Sequence, residues 1–327
     1  MTTVDSNNLP PGSPADGLST IRRKRDAARW SVTASAVLLG LKLVVGTITG
    51  SAGILAEAVN SAGDLFGAAV VFLSVRASDE PPDASHAYGH GKIENLSGAA
   101  TSALILVGGG FALGAALRQL GHGGPMPDLR WGMGVMAGSA VVNAIVSRRL
   151  LRIGRETDSP ALSADGHHLQ TDVLTSLGVL LGLVLVRLTG RREWDSLAAL
   201  VVSVIILRVG FGLARDAIGT LSDTALPPAE EQTLRHVLEA HPEVLGFHKL
   251  RTRKSGSHRH ADVHVQVADT HTLVEAHRLT ELLEDDLRAA LPNLHPIIHI
   301  EPFEDEVRHQ QDEAQTGYKP GWPPPAP

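Results

Sequence analysis

The chain has 327 residues, 43% of them hydrophobic, with a formal net charge of −6, sixteen His and no Cys. Without Cys, disulfides and thiolate metal sites are excluded, so any bound metal must use His, Asp, Glu, Asn or backbone oxygen. The modest negative charge argues against a nucleic-acid partner.

Residues 1–20 are rich in Pro, Gly, Ser and Asp and lack apolar periodicity, and Arg22, Arg23, Lys24 and Arg25 follow. Residues 1–27 therefore read as a disordered basic tail. The apolar run from Trp30 to Ile48 is near the ~20 residues of a membrane span, too long for a signal-peptide core. Five more runs of that class cover Ile54–Val75, Leu96–Leu117, Met133–Leu151, Leu162–Val186 and Leu197–Leu213. Together they predict a six-helix transmembrane domain over residues 28–218, with both termini on one side. The N-terminal basic cluster and Arg148, Arg149, Arg152 and Arg155 mark that side as cytoplasmic, although Arg187, Arg191 and Arg192 fall opposite. The run Gly108-Gly109-Gly110 in the third span allows a bend or tight helix packing.

Two stretches inside the spans carry polar pairs. LAEAVNSAGD (Leu55–Asp64) holds Asn60 and Asp64, and DGHHLQTD (Asp165–Asp172) holds His168 and Asp172. Each pair is spaced i,i+4 and so shares one helix face. Two such faces turned together bring four oxygen and nitrogen donors to one place in the bilayer, where ionisable groups are costly and mark function. His167 is on another face, and Glu57, one turn from Asn60, reads as an interfacial or structural carboxyl. The loop SDEPPDASHAYGHGK between the second and third spans carries Asp83, His86 and His90. One carboxylate and two imidazoles suit a zinc-type site, and a polar loop with clustered His is the equal alternative.

Beyond the sixth span the chain turns polar. Residues 219–228, including LSDTALPP, read as a linker. Glu230–Ala240 has helical periodicity, and Val244–Thr252 and Ala261–Val267 read as strands. Thr272–Leu291 is an amphipathic helix with Leu273, Ala276, Leu279, Leu283 and Leu287 on one face, and His295–Glu301 alternates as a third strand. The order αββαβ over residues 229–305 predicts a small α+β domain. Residues 306–327 are polar, then Pro-rich, and read as a disordered tail. His248, His264, His277, His299 and Glu301 sit on predicted strands or the helix, while His258, His260, His271 and His295 are nearer turns. A surface His is usually only solvated, but His299 and Glu301 are two apart on a strand and share a face.

LAEAVNSAGD, DASHAYGHGKIENL, ADGHHLQTDVLTSLGVLLG, LSDTALP, FHKLRTRKSG and IIHIEP stand in this order around six apolar runs. In these pieces the chain resembles the cation diffusion facilitators, a family of divalent-metal/proton antiporters, over about residues 28–303. The resemblance implies an α-helical membrane protein with six transmembrane helices and a small cytosolic, metallochaperone-like α+β domain. It implies a multi-pass homodimer in a bacterial inner or plasma membrane, joined through its membrane and cytosolic domains, both termini cytoplasmic. The implied transport site is Asn60, Asp64, His168 and Asp172, and the implied loop site is Asp83, His86 and His90. A binuclear site at the interface of two cytosolic domains would use His248, His264, His277, His299 and Glu301. Lys92 and Asp223 match positions that pair as a charge interlock between membrane and cytosolic parts.

The family usually presents Asp or His where this chain has Asn60. The amide leaves Asp64 and Asp172 as the two anions of the site and moves selectivity toward metals that accept oxygen. His168 keeps Zn2+ first, with Fe2+ and Mn2+ next and Co2+ and Cd2+ behind. The expected activity is export of a divalent cation against protons. A membrane-anchored metal sensor or assembly factor without flux is the alternative. An intramembrane metallohydrolase fits poorly, because no HExxH is present.

Overall fold

The computed structural model describes residues 14–50, 52–122, 130–191 and 193–304. It divides into a helical unit, Leu18–Leu221, and a second unit that begins at Ser222.

The helical unit is built from α1 (Pro14–Thr49), α2 (Ala52–Ser78), α3 (Lys92–His122), α4 (Arg130–Glu156), α5 (Pro160–Thr189) and α6 (Glu193–Leu221). At 1.5 Å per residue, helices of 27–36 residues run roughly 40–54 Å, more than the hydrocarbon thickness of a bilayer. Among the described residues, α1, α2, α3, α5 and α6 contain stretches long and apolar enough to cross a membrane. α4 is more polar and is the exception. Val37, Ile48, Phe66, Phe111 and Leu188 are exposed on the outside of the unit. Such an apolar exterior needs hydrocarbon as its solvent.

The first helix corrects the sequence reading. It is already formed at Pro14, well before Trp30, so residues 14–27 are not a disordered tail. Arg, Lys and Ala are strong helix formers, and Ala27 and Ala28 are buried against Val71, Val75, Leu150 and Leu162. Lys24 is buried as well, between two carboxylates. The glycine run works through its middle residue. A Cβ on Gly109 would stand 3.0 Å from Ile206 of α6, whereas Gly108 and Gly110 face open space. Gly210 of α6 answers it, with Leu106 and Ile105 of α3 at 3.0 and 3.1 Å from the same imaginary carbon. α5 is closed at both ends. Ser159 caps it and Pro160 opens it, while Gly190, at φ 71, returns its N–H to the Val186 carbonyl.

The second unit contains α7 (Pro228–Ala240), β1 (Gly246–Ser255), β2 (His258–Val267), α8 (Leu273–Ala290) and β3 (Leu294–Pro302). The segment linking α6 to α7 is thus 222–227, shorter than read from composition. The strands form one sheet in the order β1-β2-β3, β1 antiparallel and β3 parallel to β2. Val263, Val265 and Val267 of β2 pack on Leu234 and Leu238 of α7 and on Leu279, Leu283 and Leu287 of α8. Thr272 and Glu275 form a capping box that fixes the start of α8. Leu273, expected on the buried face, is 86% exposed, because the packed stripe begins a turn later. A bulge between His248 and Arg251 adds one residue to β1, and Lys249 absorbs it at φ 52. The extra residue changes the phase of the alternation. Phe247 and Leu250 both pack on the core, while His248, Arg251 and Arg253 share the opposite, helix-free face. The predicted C-terminal tail lies outside the described residues.

Candidate metal sites

Among the described residues, three groups of side chains gather metal-ligand atoms within 4.8 Å of one another. The first is Asp64 of α2 with His168 and Asp172 of α5. His168 Nε2 is 3.4 Å from Asp64 Oδ1. His168 Nδ1 and Asp172 Oδ2 are buried with no hydrogen-bond partner. Buried polar atoms are almost always satisfied, so two orphans in one cluster fit a place for a cation. Asn60 is one turn before Asp64 and has an exposed side chain.

Two features beside this cluster escaped the sequence reading. Asp165, one turn before His168, is fully buried and accepts a 2.6 Å hydrogen bond from Ser31 Oγ of α1. Lys42, also buried in α1, sits 3.2 Å from Glu57 and donates to Ser61 Oγ at 2.8 Å. Glu57 is therefore half of an ion pair. A lysine within the first apolar run was the available signal.

The second group is Asp83, His86 and His90 in the loop between α2 and α3. Asp83 Oδ1 accepts from the backbone N–H groups of Ser85 and His86 at 2.8 and 2.6 Å, closing a tight turn. Hydrogen bonds from the Ser85 hydroxyl and these amides hold its pKa down at about 2, so it stays anionic. His90 Nε2 is 3.3 Å from Asp83 Oδ2, and its Nδ1 is 3.4 Å from the Glu80 carbonyl. A proton on Nδ1 leaves the Nε2 lone pair toward Asp83, the arrangement a ligand imidazole needs. The His86 and His90 rings are 4.5 Å apart.

The third group is on the helix-free face of the sheet. His248, His264 and His299 are register partners across all three strands. Glu301 joins them, 2.7 Å from His248 Nε2, within hydrogen-bond distance of His264 Nδ1 and 3.5 Å from His299 Nε2. Burial works against the Glu301 charge, but hydrogen bonds from His264 and His248 bring its pKa below the usual carboxylate value. His248, His264 and Glu301 are the three whose ligand atoms meet. His277 stands apart on exposed α8, 3.6 Å from Glu281. Within one chain, then, four of the expected five share this face and three of them bring ligand atoms together. Lys92 opens α3, and Asp223 follows α6 with its carboxylate 3.5 Å from Arg253.

Residues 28–222 match the cation efflux transmembrane domain, and residues 226–303 match the cytoplasmic domain of cation efflux proteins. An uncharacterized transporter of Synechocystis is 34% identical over 88% of this chain and 93% of its own length. The cation-efflux pump FieF of Yersinia pestis (strain Pestoides F) is 35% identical over 84% of this chain and 92% of its own. Among solved structures, the metal-bound C-terminal domain of the CzcD transporter from Thermotoga maritima aligns with 23% of this chain and 87% of that domain, at 24% identity and a TM-score of 0.22. With both halves matched in sequence and in order, the chain is a multi-pass membrane protein and belongs to the cation efflux, or cation diffusion facilitator, family.

Proposed function

We propose that the chain exports a divalent cation, Zn2+ first and Fe2+ or Mn2+ next, in exchange for protons, working as a homodimer in a bacterial inner membrane with both termini cytoplasmic. The observation that carries this reading is the Asp64–His168–Asp172 cluster. Its ligand atoms lie within 4.8 Å between two apolar helices, and two of its buried atoms lack partners. Asp64 and Asp172 supply the two negative charges that balance a dication, and Asn60 offers a neutral oxygen one turn away. His168 is the borderline ligand that favours Zn2+ over harder ions.

Metal and proton compete for the same nitrogen and carboxylate oxygens. Protons taken up from the outer side displace the cation there, and their release inside restores the empty ligands. Lys42 and Glu57 neutralise each other beside the cluster, so their pair leaves its net charge unchanged. In the same reading Asp83, His86 and His90 hold metal at the loop. His248, His264, His299 and Glu301 meet His277 of a second copy to form the dimer-interface site, and Lys92 and Asp223 form the charge interlock.

The test is metal uptake into proteoliposomes under an imposed pH gradient, comparing Zn2+, Mn2+ and Fe2+. Wild-type uptake should depend on the gradient, and Asp64→Ala and Asp172→Ala should abolish it. Uptake indifferent to the gradient removes antiport, and near-normal uptake in either variant removes that residue from the site. No flux of any metal would return the chain to the sensor reading.

A further inference from the structure

The helix-free face of the sheet carries a second histidine cluster at its other end. His258 and His260 alternate on β2, and His295 on β3 is the register partner of His260. His295 Nε2 is 3.2 Å from His258 Nδ1. The His295 ring is 5.3 Å from both neighbours, stacked on His260 with 23° between the planes. Two nitrogens bound to one tetrahedral Zn2+ at 2.0–2.1 Å stand about 3.3 Å apart. His258 and His295 already have that separation in the hydrogen bond they share, and the third donor such a site would use is His260, whose ring stacks on that of His295. Four residues of β2 separate His260 from His264, about 13 Å, so no single ion serves both clusters.

We infer that His258, His260 and His295 form a second divalent-cation site on the cytosolic domain, distinct from the one at Glu301. Its donors are all imidazole, which selects Zn2+, Co2+, Ni2+ or Cu2+ over Mn2+. Its surroundings set its strength. Arg253 is the β1 register partner of His260, and Arg288 acts on His295. Partial burial and these arginines favour the neutral ring that a metal requires. The same guanidiniums repel a cation. Asp262, on the same face, is 3.8 Å from Arg251, and Asp223 is 3.5 Å from Arg253, so each carboxylate is shared with an arginine. The site is weaker than the carboxylate-backed cluster and fills after it as free metal rises.

The experiment uses the full-length chain in detergent, stripped of metal and titrated at equilibrium with Zn2+ under dialysis and with Co2+ by visible absorption. His258→Gln and His295→Gln are made separately, with His264→Gln as the contrast. His295 is exposed, so its replacement leaves the fold intact. The expected result is that each of the first two variants weakens one lower-affinity equivalent per chain at least tenfold, with loss of its Co2+ bands. His264→Gln should remove a tighter equivalent and spare this one. Wild-type Zn2+ stoichiometry and affinities in both His258→Gln and His295→Gln would overturn the inference. Binding is read without flux, so the result is independent of whether the chain proves to be an antiporter.

Discussion

Replacing Glu94 by Gln removes one charge from a buried cluster and should weaken the whole helical unit. Lys24 Nζ of α1 is 2.8 Å from Glu94 of α3 and 3.0 Å from Asp79, which follows α2. The Lys24 and Glu94 side chains are only 4% and 1% exposed. Glu94 also accepts a 2.8 Å hydrogen bond from Ser78 and another from Ser159, the N-cap of α5. Gln keeps the shape but leaves Lys24 with Asp79 alone, which Arg25 also engages. Breaking a buried pair from one side costs roughly 3–5 kcal/mol. At roughly 2–4 °C per kcal/mol for a unit of the size of Leu18–Leu221, the melting temperature should fall by about 6–20 °C. Thermal unfolding in detergent, followed through the four Trp, reads this directly. The control is Glu156→Gln, which breaks an exposed pair with Arg23 and should cost less than about 1 kcal/mol. Lys24→Met combined with Glu94→Gln should cost less than the two changes summed, because no cation is then stranded. A Glu94→Gln melting temperature no lower than that of Glu156→Gln would refute the reasoning.

Gly109→Val should lower the same melting temperature by overpacking α3 on α6, a cost of about 1–3 kcal/mol, while Gly108→Val should leave it unchanged because its side chain meets open space. At the loop, Asp83→Asn keeps an oxygen for the Ser85 and His86 amides but loses the anion, whereas Asp83→Ala loses both. If the loop holds metal, both variants should weaken Zn2+ binding there, but only the alanine should speed proteolysis of the loop; equal Zn2+ binding in the Asn variant and wild type would favour the plain polar turn. Arg259 forks onto Glu230 with two 2.8 Å hydrogen bonds. Those bonds outweigh burial and lower the Glu230 pKa, so the pair stabilises the second unit above the ordinary carboxylate range and the contribution is lost as pH falls through the depressed value. Glu230→Gln should therefore destabilise that unit by about 1 kcal/mol near pH 7, allowing for solvent screening, and the difference from wild type should shrink in melts as pH falls below the ordinary carboxylate range.

The i,i+4 spacing made the two halves of the membrane cluster legible, because helix geometry alone puts such residues on one face. Which further groups join them depends on neighbouring helices. Asp165 lies three residues before His168, in plain view, but its partner Ser31 is 134 positions away. Lys42 is a charge in an apolar run, and its counter-ion, Glu57, lies on the neighbouring α2, 15 positions away. In the sheet, the two-residue period linked His299 to Glu301, yet His248 entered the same face only through a bulge that alternation in the sequence conceals. The pairing of His260 with His295 is likewise a matter of register between distant strands. Turns near these residues made them look like surface histidines.

The least apolar helix illustrates why a count by hydropathy and a count by fold differ. α4 carries Ser139, Asn143 and Ser147, and then Arg148, Arg149 and Arg152, so its composition resembles that of a surface helix. All three of those small polar residues are buried, and Ser147 donates to the Gly166 carbonyl of α5 at 2.8 Å. Val146 and Leu150 pack on Ala161, Leu162 and Leu169 of α5 and on Val71 and Val75 of α2. Gly154 and Gly166 let the two backbones approach, since a Cβ at either would stand within 3.0 Å of the other helix. The polar stripe of α4 is thus turned to protein, while Val141 and Ile145 face outward. Arg149 lies over the Trp30 ring at 5.2 Å, an amphipathic contact suited to a membrane boundary. A helix shielded by its neighbours can be polar on one face at membrane depth, where a buried hydroxyl such as that of Ser147 finds a protein carbonyl instead of hydrocarbon. Mean hydropathy averages that face with the lipid-facing one. Packing against α5, and not composition, allows α4 to stand within the bundle and brace α5, the helix that carries His168 and Asp172.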